Sequence, residues 1–279
     1  MQYSTTVLES QADWLTASFH TRDSAARAKS DAERWTRQEQ ANGAEVKSFC
    51  VSNYVGWMAG RVRYGESQKG AIIQLSGQLA EDHIPDMVPR ASNVSRLDLA
   101  VTVRIEPSRT DVGRAAFNDA CDYRAFHPSS ARPSLYENGD GGATLYVGDR
   151  ASNWILRVYN KEAECVENRD TPGAEHYAGC WRYELEVKGK DALRQAQLYH
   201  AVDSRPTHVQ GYVYQWTVNH GVVPAFPYDG SVKLEPGFRR RSDRDSRLLW
   251  LAESVRPAVQ WLRESTDRTT LIGLLGLDT

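Results

Sequence analysis

Cysteine is scarce in this chain, and the four present, Cys50, Cys121, Cys165 and Cys180, include no C-x-x-C pair. That argues against a zinc ribbon and a thioredoxin-like redox motif, and the thiols read as reduced cysteines of an intracellular protein. Long apolar runs are also missing. None reaches the roughly 18 residues of a membrane span, and residues 1–7 lack the charged-then-apolar pattern of a secretory leader. No G-x-x-x-x-G-K-[ST] phosphate loop occurs, so there is no signature of a nucleotide-driven motor. Neither sign of charge dominates. The formal net charge is -2, so any contact with a polyanion must rest on local patches. Together these absences give the expectation of a soluble, cytoplasmic protein. There is no internal repeat.

What is present suits a sizeable core. The 279 residues allow one domain with an appendage. A hydrophobic fraction of 41% is modest, but eight Trp and 13 Tyr add buried area.

Three stretches carry strict period-two alternation, the mark of a half-buried strand. In residues 95–103, Leu97, Leu99, Val101 and Val103 form one face, and Asp98, Ala100 and Thr102 form the other. In residues 153–159, Trp154, Leu156 and Val158 share a face opposite Arg157 and Tyr159, and Lys161 follows. In residues 181–188, Trp181, Tyr183, Leu185 and Val187 oppose Arg182, Glu184, Glu186 and Lys188. An aspartate in mid-strand goes against β propensity, and such violations tend to mark function. A salt bridge to Arg96 or Arg104 explains Asp98 equally well. Glu184 and Glu186, side by side on one face, repel unless a cation stands between them. Either Arg182 and Lys188 supply that cation or a metal does.

The rest of the chain frames these strands. Residues 24–40, rich in Ala, Arg, Lys and Glu, predict an exposed helix. Residues 46–79 predict an antiparallel β region, with Arg61 and Arg63 on one strand face as a DNA-facing pair. Residues 111–126 predict a helix, and 129–142 a loop. Residues 148–152 form the turn of a hairpin that includes Arg150. From residue 191 the pattern turns helical. Residues 238–247 carry five arginines against two aspartates, which nominates Arg239, Arg240 and Arg241 for duplex contact. The predicted fold class is α+β. A mostly antiparallel sheet bears the site on one face, with helices on the other and a helical C-terminal part. The expected domains are residues 1–190, catalytic, and 191–279, a helical DNA-binding appendage.

If the three strands share a sheet with their apolar faces aligned, Asp98, Arg157, Tyr159, Glu184 and Glu186 meet on the opposite side. Hard carboxylate oxygens suit Mg2+ or Mn2+. Such a cation polarises a scissile phosphate, which Arg157 or Arg150 can hold bidentately. A tyrosine beside cations is a candidate nucleophile.

In their order, Arg96-Leu-Asp-Leu-Ala, Leu145-Tyr-Val-Gly-Asp-Arg-Ala-Ser with Leu156-Arg-Val-Tyr-Asn-Lys161, and Trp181-Arg-Tyr-Glu-Leu-Glu-Val-Lys188 resemble the trans-acting initiators of rolling-circle replication. These serve plasmids and filamentous phages, and relaxases of some integrative conjugative elements are related. The resemblance covers roughly residues 50–190. It implies a metal-dependent origin nickase and strand transferase. Tyr159 would be the nucleophile, Asp98, Glu184 and Glu186 the metal site, and Arg150, Arg157 and Lys161 the contacts to the cleaved strand. Arg182 and Lys188 join the DNA-binding candidates. Thr102 departs from the pattern, since many relatives carry a second Asp there. The histidine pair of another nickase class is also missing, so the metal should be held by carboxylates. The resemblance further implies replication-origin DNA, duplex and single-stranded, as partner, a host helicase, and often a homodimer. A conjugative relaxase of the same chemistry and a non-cleaving DNA-binding regulator are the alternatives.

Overall fold

The structure is a computed structural model, and it describes residues 4–51, 53–137, 142–168, 171–228 and 230. Its first half runs β1 (Ser4–Phe19), α1 (Arg22–Ala41), β2 (Lys47–Val51), β3 (Tyr54–Ala59), β4 (Val62–Ser67), β5 (Gly70–Ser76) and α2 (Gln78–Met87). A single 3-10 turn at Val88–Arg90 leads to β6 (Asn93–Glu106), α3 (Val112–Phe126), β7 (Pro133–Glu137) and β8 (Ala143–Val147). The chain continues through β9 (Trp154–Asn160), α4 (Lys161–Glu167), α5 (Thr171–His176), β10 (Cys180–Lys188), α6 (Gly189–Ala201) and α7 (Arg205–Asn219).

All ten strands join one sheet in the order β2-β3-β4-β5-β1-β6-β10-β9-β8-β7. Every pairing is antiparallel. The register sets Leu99, Leu185 and Leu156 side by side on the apolar face. All three are fully buried, each contributing about 1.5–3 kcal/mol. Helices cover this face. From α1, Lys29 reaches Glu66 and Thr36 accepts from the Trp57 indole. Gly113 of α3 sits against the Trp181 ring, where a Cβ would meet the ring at 3.0 Å. Asp191 of α6 accepts from the Trp154 indole, and Gln210 of α7 donates to Ser10. The α+β architecture with a large antiparallel sheet is thus as expected.

The central strand β1 runs 16 residues. It pairs with β5 on one side and β6 on the other, and its register to β6 shifts at Val7/Glu9, Ala12/Trp14 and Thr16/Ala17. These bulges aim Asp13 toward β10. Residues 129–142, expected as a loop, contain the edge strand β7, which pairs with β8. Within residues 46–79, β2 pairs with β3, β3 with β4 and β4 with β5, all antiparallel. Beyond residue 190, α6 and α7 lie against β6 and β1, and residues 1–233 make up one compact unit. Arg239, Arg240, Arg241 and the helices expected after them lie outside the described residues. Among the described residues, no helix is long and apolar enough to cross a membrane.

Candidate active site

The site follows from strand register. Glu186 pairs with Asp98, Glu184 with Ala100 and Arg157, and Arg182 with Thr102 and Tyr159. Period-two alternation puts these side chains on one face of β6, β10 and β9. The strand β9 ends where Asn160 caps α4, its side chain accepting from the Ala163 amide at 2.9 Å. That switch from strand to helix places Lys161 one residue past the sheet.

Three carboxylates surround one guanidinium nitrogen. Arg157 Nη2 lies 3.0 Å from Asp98 Oδ2 and 3.7 Å from Glu186 Oε2, and it also pairs closely with Glu184 Oε1. Arg96 adds a second guanidinium, 2.6 Å from Asp98 Oδ2 and 3.0 Å from Glu186 Oε2, and rests 4.7 Å over the Trp14 ring. Lys188 pairs with Glu186 Oε1 at 2.8 Å. Two glutamates and one aspartate are therefore neutralised by Arg157, Arg96 and Lys188. Arg182 directs its guanidinium elsewhere, to Glu9, Asp13 and Thr102. The bland reading of Asp98 as a partner of Arg96 holds, and Arg157 binds it as well.

The Tyr159 hydroxyl donates to Glu184 Oε2 at 3.1 Å. Burial, then the neighbouring Glu184 charge, pushes this phenol well above its ordinary value, with Arg182 pulling the other way. Burial likewise pushes Glu184 up to about 8, partly offset by Arg157 and reinforced by Asp98. Burial raises Asp98 too, despite Arg96 and Arg157. Asp98 is 1% exposed and Glu184 4%, and a hydrogen bond joins the two carboxyls. Burial and mutual repulsion thus favour holding one proton between these two carboxyls.

A second polar cluster backs the first. Arg182 is 3% exposed. Its Nη2 lies 2.6 Å from Glu9 Oε2, its Nη1 3.0 Å from Asp13 Oδ1, and its Nε donates to Thr102 Oγ1 at 2.9 Å. Thr102, where the resemblance led to the expectation of a second Asp, donates to Glu9 Oε2 at 3.1 Å. A carboxylate thus reaches this row from β1, the neighbouring strand. Burial opposes ionisation of Glu9, but the Tyr177 hydroxyl and Arg182 hold it below the usual carboxylate range. Glu9, Asp13 and Tyr177 were not singled out from sequence. The only signal for the first two was a pair of acids in a weakly patterned, strand-like run.

The remaining candidates divide. Arg150 is exposed in the β8–β9 turn, and its carbonyl accepts from Lys188 at 2.9 Å. Lys161 pairs with Glu164 at 2.6 Å, 5.4 Å from the Tyr177 ring. Arg182, expected against DNA, is instead enclosed by Glu9, Asp13 and Thr102. Arg61 is not on a strand face with Arg63. It stands in the turn before β4 and binds Glu39 at 2.8 Å, while Arg63 lies 4.2 Å over the Phe49 ring. Both sit on the far arm of the sheet, beyond β5 and β1.

The donor set suits a hard divalent cation in kind: three carboxylates from two adjacent strands. As arranged, their oxygens face guanidinium groups, and no ready cluster of three acidic, imidazole or thiol ligands stands free among the described residues. Arg157 Nη2 occupies the centre, while its Nε is buried with no hydrogen-bond partner. This side chain is thus crowded by carboxylates at one end and unsatisfied at the other.

The site is thus a face of acid, arginine and tyrosine on a broad antiparallel sheet. In comparison with known proteins, residues 92–211 match the model of the Rep_trans family, "Replication initiation factor". That match covers under half of the 279-residue chain. A "Replication initiation protein" of Staphylococcus aureus is 30% identical over 82 residues, 29% of this chain and 26% of that one. The match therefore spans about a quarter of that relative's length. The solved "Rolling Circle Replication Initiator Protein from Geobacillus stearothermophilus" has a similar fold, with a TM-score of 0.50 and 15% identity over 83% of this chain and 90% of that one.

Proposed function

We propose that this protein initiates rolling-circle replication by nicking one strand of a plasmid or phage origin and later rejoining it. The observation that carries the reading is Tyr159 hydrogen-bonded to Glu184 beside Arg157, on a sheet face whose three strands lie inside the family match. Tyr159 Oη attacks the scissile phosphorus, and the bond from phosphorus to the 3′ oxygen breaks. That oxygen leaves with its electron pair and takes up a proton, giving a 3′ hydroxyl end. A 5′-phosphotyrosyl ester remains on the protein. One phosphoester replaces another, so reversal needs no external energy source. Asp98, Glu184 and Glu186 would hold Mg2+ or Mn2+, which when bound supplies polarisation of the phosphate and offsets charge on its oxygens. Glu184, against the Tyr159 hydroxyl, is placed to accept the phenolic proton once it is itself ionised. Arg157, turned from the carboxylates, is placed to grip a phosphate oxygen. Arg150 and Lys188 lie along the same face.

A homodimer, a host helicase to separate strands and a cytoplasmic site of action complete the proposal. Residues 191–279 would add duplex contacts to a catalytic part in 1–190. The regulator alternative draws on the arginine-filled carboxylate cluster, which leaves no free metal site. Denaturing electrophoresis of the protein with supercoiled origin DNA and Mn2+ separates the two. A covalent adduct that Tyr159→Phe abolishes supports the nickase. Tight binding with no adduct from either protein supports the regulator.

A further inference from the structure

The carboxylate cluster is balanced by the chain's own cations. Asp98, Glu184 and Glu186 face Arg96, Arg157 and Lys188, so cations match carboxylates one for one. All three carboxylates are buried. A divalent cation added to this set brings a surplus of positive charge into a buried place, and uncompensated buried charge is strongly disfavoured. One of the chain's own cations has to leave.

The three are not held alike. Arg96 also rests on the Trp14 ring, 4.7 Å from its centroid. Lys188 also donates to the Arg150 carbonyl at 2.9 Å. Arg157 has no such second hold. Among the described residues its ion pairs all run from Nη2 to the carboxylates, and its Nε is buried without a hydrogen-bond partner. Arg157 also stands where two openings meet. It lines a groove of about 1420 Å³ beside α3 and a pocket of about 340 Å³ that Tyr159 lines as well. A guanidinium leaving the carboxylates therefore has open space to enter, on the side of the candidate nucleophile.

What it needs there is a new anion. A phosphodiester carries one negative charge and two free oxygens that match the guanidinium fork. Either half of the exchange is unfavourable alone. A divalent cation by itself leaves Arg157 without a partner. A phosphate by itself draws Arg157 away from three carboxylates. When both bind, each takes up the partner that the other releases.

We propose that Arg157 is a shared plug, which makes the site take up its divalent cation and a phosphodiester together rather than one at a time. Paired with the carboxylates, the guanidinium closes the site; paired with a phosphate beside Tyr159, it opens it. The inference rests on the nicking reading and adds a regulation of the same site, because the cation is held only where a phosphodiester is in place. The arginine-filled cluster is then the closed form of a nickase rather than the mark of a non-cleaving regulator.

The test is the coupling between the two ligands, read as binding. The full-length Tyr159→Phe protein removes the chemistry. Mn2+ is titrated by the electron paramagnetic resonance of the free ion, with and without a short single strand of origin sequence, and a protein-free titration corrects for Mn2+ on the strand itself. The strand should tighten Mn2+ binding by about tenfold or more. Coupling is reciprocal, so Mn2+ should tighten binding of the labelled strand, read by fluorescence anisotropy, by the same factor. Adding Arg157→Gln should tighten Mn2+ binding without DNA and reduce the coupling to less than about twofold. Arg96→Gln is the control. It removes a positive charge from the same carboxylates but leaves the exchange, so the coupling should persist. Thermal melts check that both variants fold. No coupling in the protein with Arg157, coupling that survives Arg157→Gln, or an equal loss in Arg96→Gln overturns the proposal. The adduct assay on the protein with Tyr159 intact is read separately. Coupling without an adduct sinks the nicking reading, whereas an adduct without coupling sinks the plug alone.

Discussion

In a chelator, the folded protein should lose stability as pH rises from 6.5 to 8, the reverse of an ordinary carboxylate-rich protein. The cause is the buried pair Asp98 and Glu184. A glutamate held at about 8 in the folded state, against a usual value near 4.5, keeps its proton in the fold while the unfolded chain has released it. Folding then takes up a proton, and stability falls as pH climbs through this interval. Across the whole span the linkage has an upper bound of about 5 kcal/mol, at 1.36 kcal/mol per pH unit. Only part of it can be read cleanly. His208, pushed down to about 4 by burial, contributes stability that is present above the ordinary imidazole value and lost as pH falls from there toward 4. His83, also lowered by burial, acts in the same sense. Below about 6.5 these histidines oppose Glu184, and above it they are neutral in both states. Between pH 6.5 and 8 the Glu184 share is about 2 kcal/mol, or a fall in Tm of roughly 4–8 °C for a chain of this size. Thermal melts in EDTA across that interval measure it, with Glu184→Gln as control. The variant should show a flatter profile. A rise in Tm over the interval, or a fall that survives in Glu184→Gln, refutes the shared-proton account.

Two further perturbations probe the same site. Arg157→Gln removes the guanidinium that sits among three carboxylates. Mn2+ binding, followed by the electron paramagnetic resonance of the free ion, should tighten by about tenfold or more as the competing charge is lost; unchanged or weaker binding contradicts the placement of the cation. Arg182→Leu leaves Glu9 and Asp13 without their shared partner, and breaking a buried pair costs about 3 kcal/mol or more. Melts should show it as a Tm lower by roughly 6–12 °C, and an unperturbed Tm would return Arg182 to the list of DNA contacts.

The legible part of the site was the part that alternates cleanly. Leu97 to Val103, Trp154 to Val158 and Trp181 to Val187 kept period two without interruption, so their polar faces, and hence Asp98, Arg157, Tyr159, Glu184 and Glu186, could be read as neighbours. The structure confirms this adjacency through register. β1 was harder. Its three register shifts break the alternation that would announce a strand, and its first half is mostly polar, although it lies at the centre of the sheet. Glu9 and Asp13 were therefore invisible as partners of Arg182, and Arg182 was assigned to DNA because its strand face is that of the glutamates. Face is a one-dimensional property; burial depends on what the neighbouring strands bring. The same gap explains Arg61, whose turn geometry and Glu39 partner come from a helix 22 residues away in sequence. It also explains the edge strand β7, masked by proline and serine in a stretch that reads as loop.

The central claim is that Tyr159 is the nucleophile. The direct measurement is mass spectrometry of the protease-digested covalent adduct formed with origin DNA and Mn2+. The account predicts one modified peptide, carrying a 5′-linked nucleotide on Tyr159. A nucleotide on another phenol, such as Tyr146, Tyr177 or Tyr183, would contradict it.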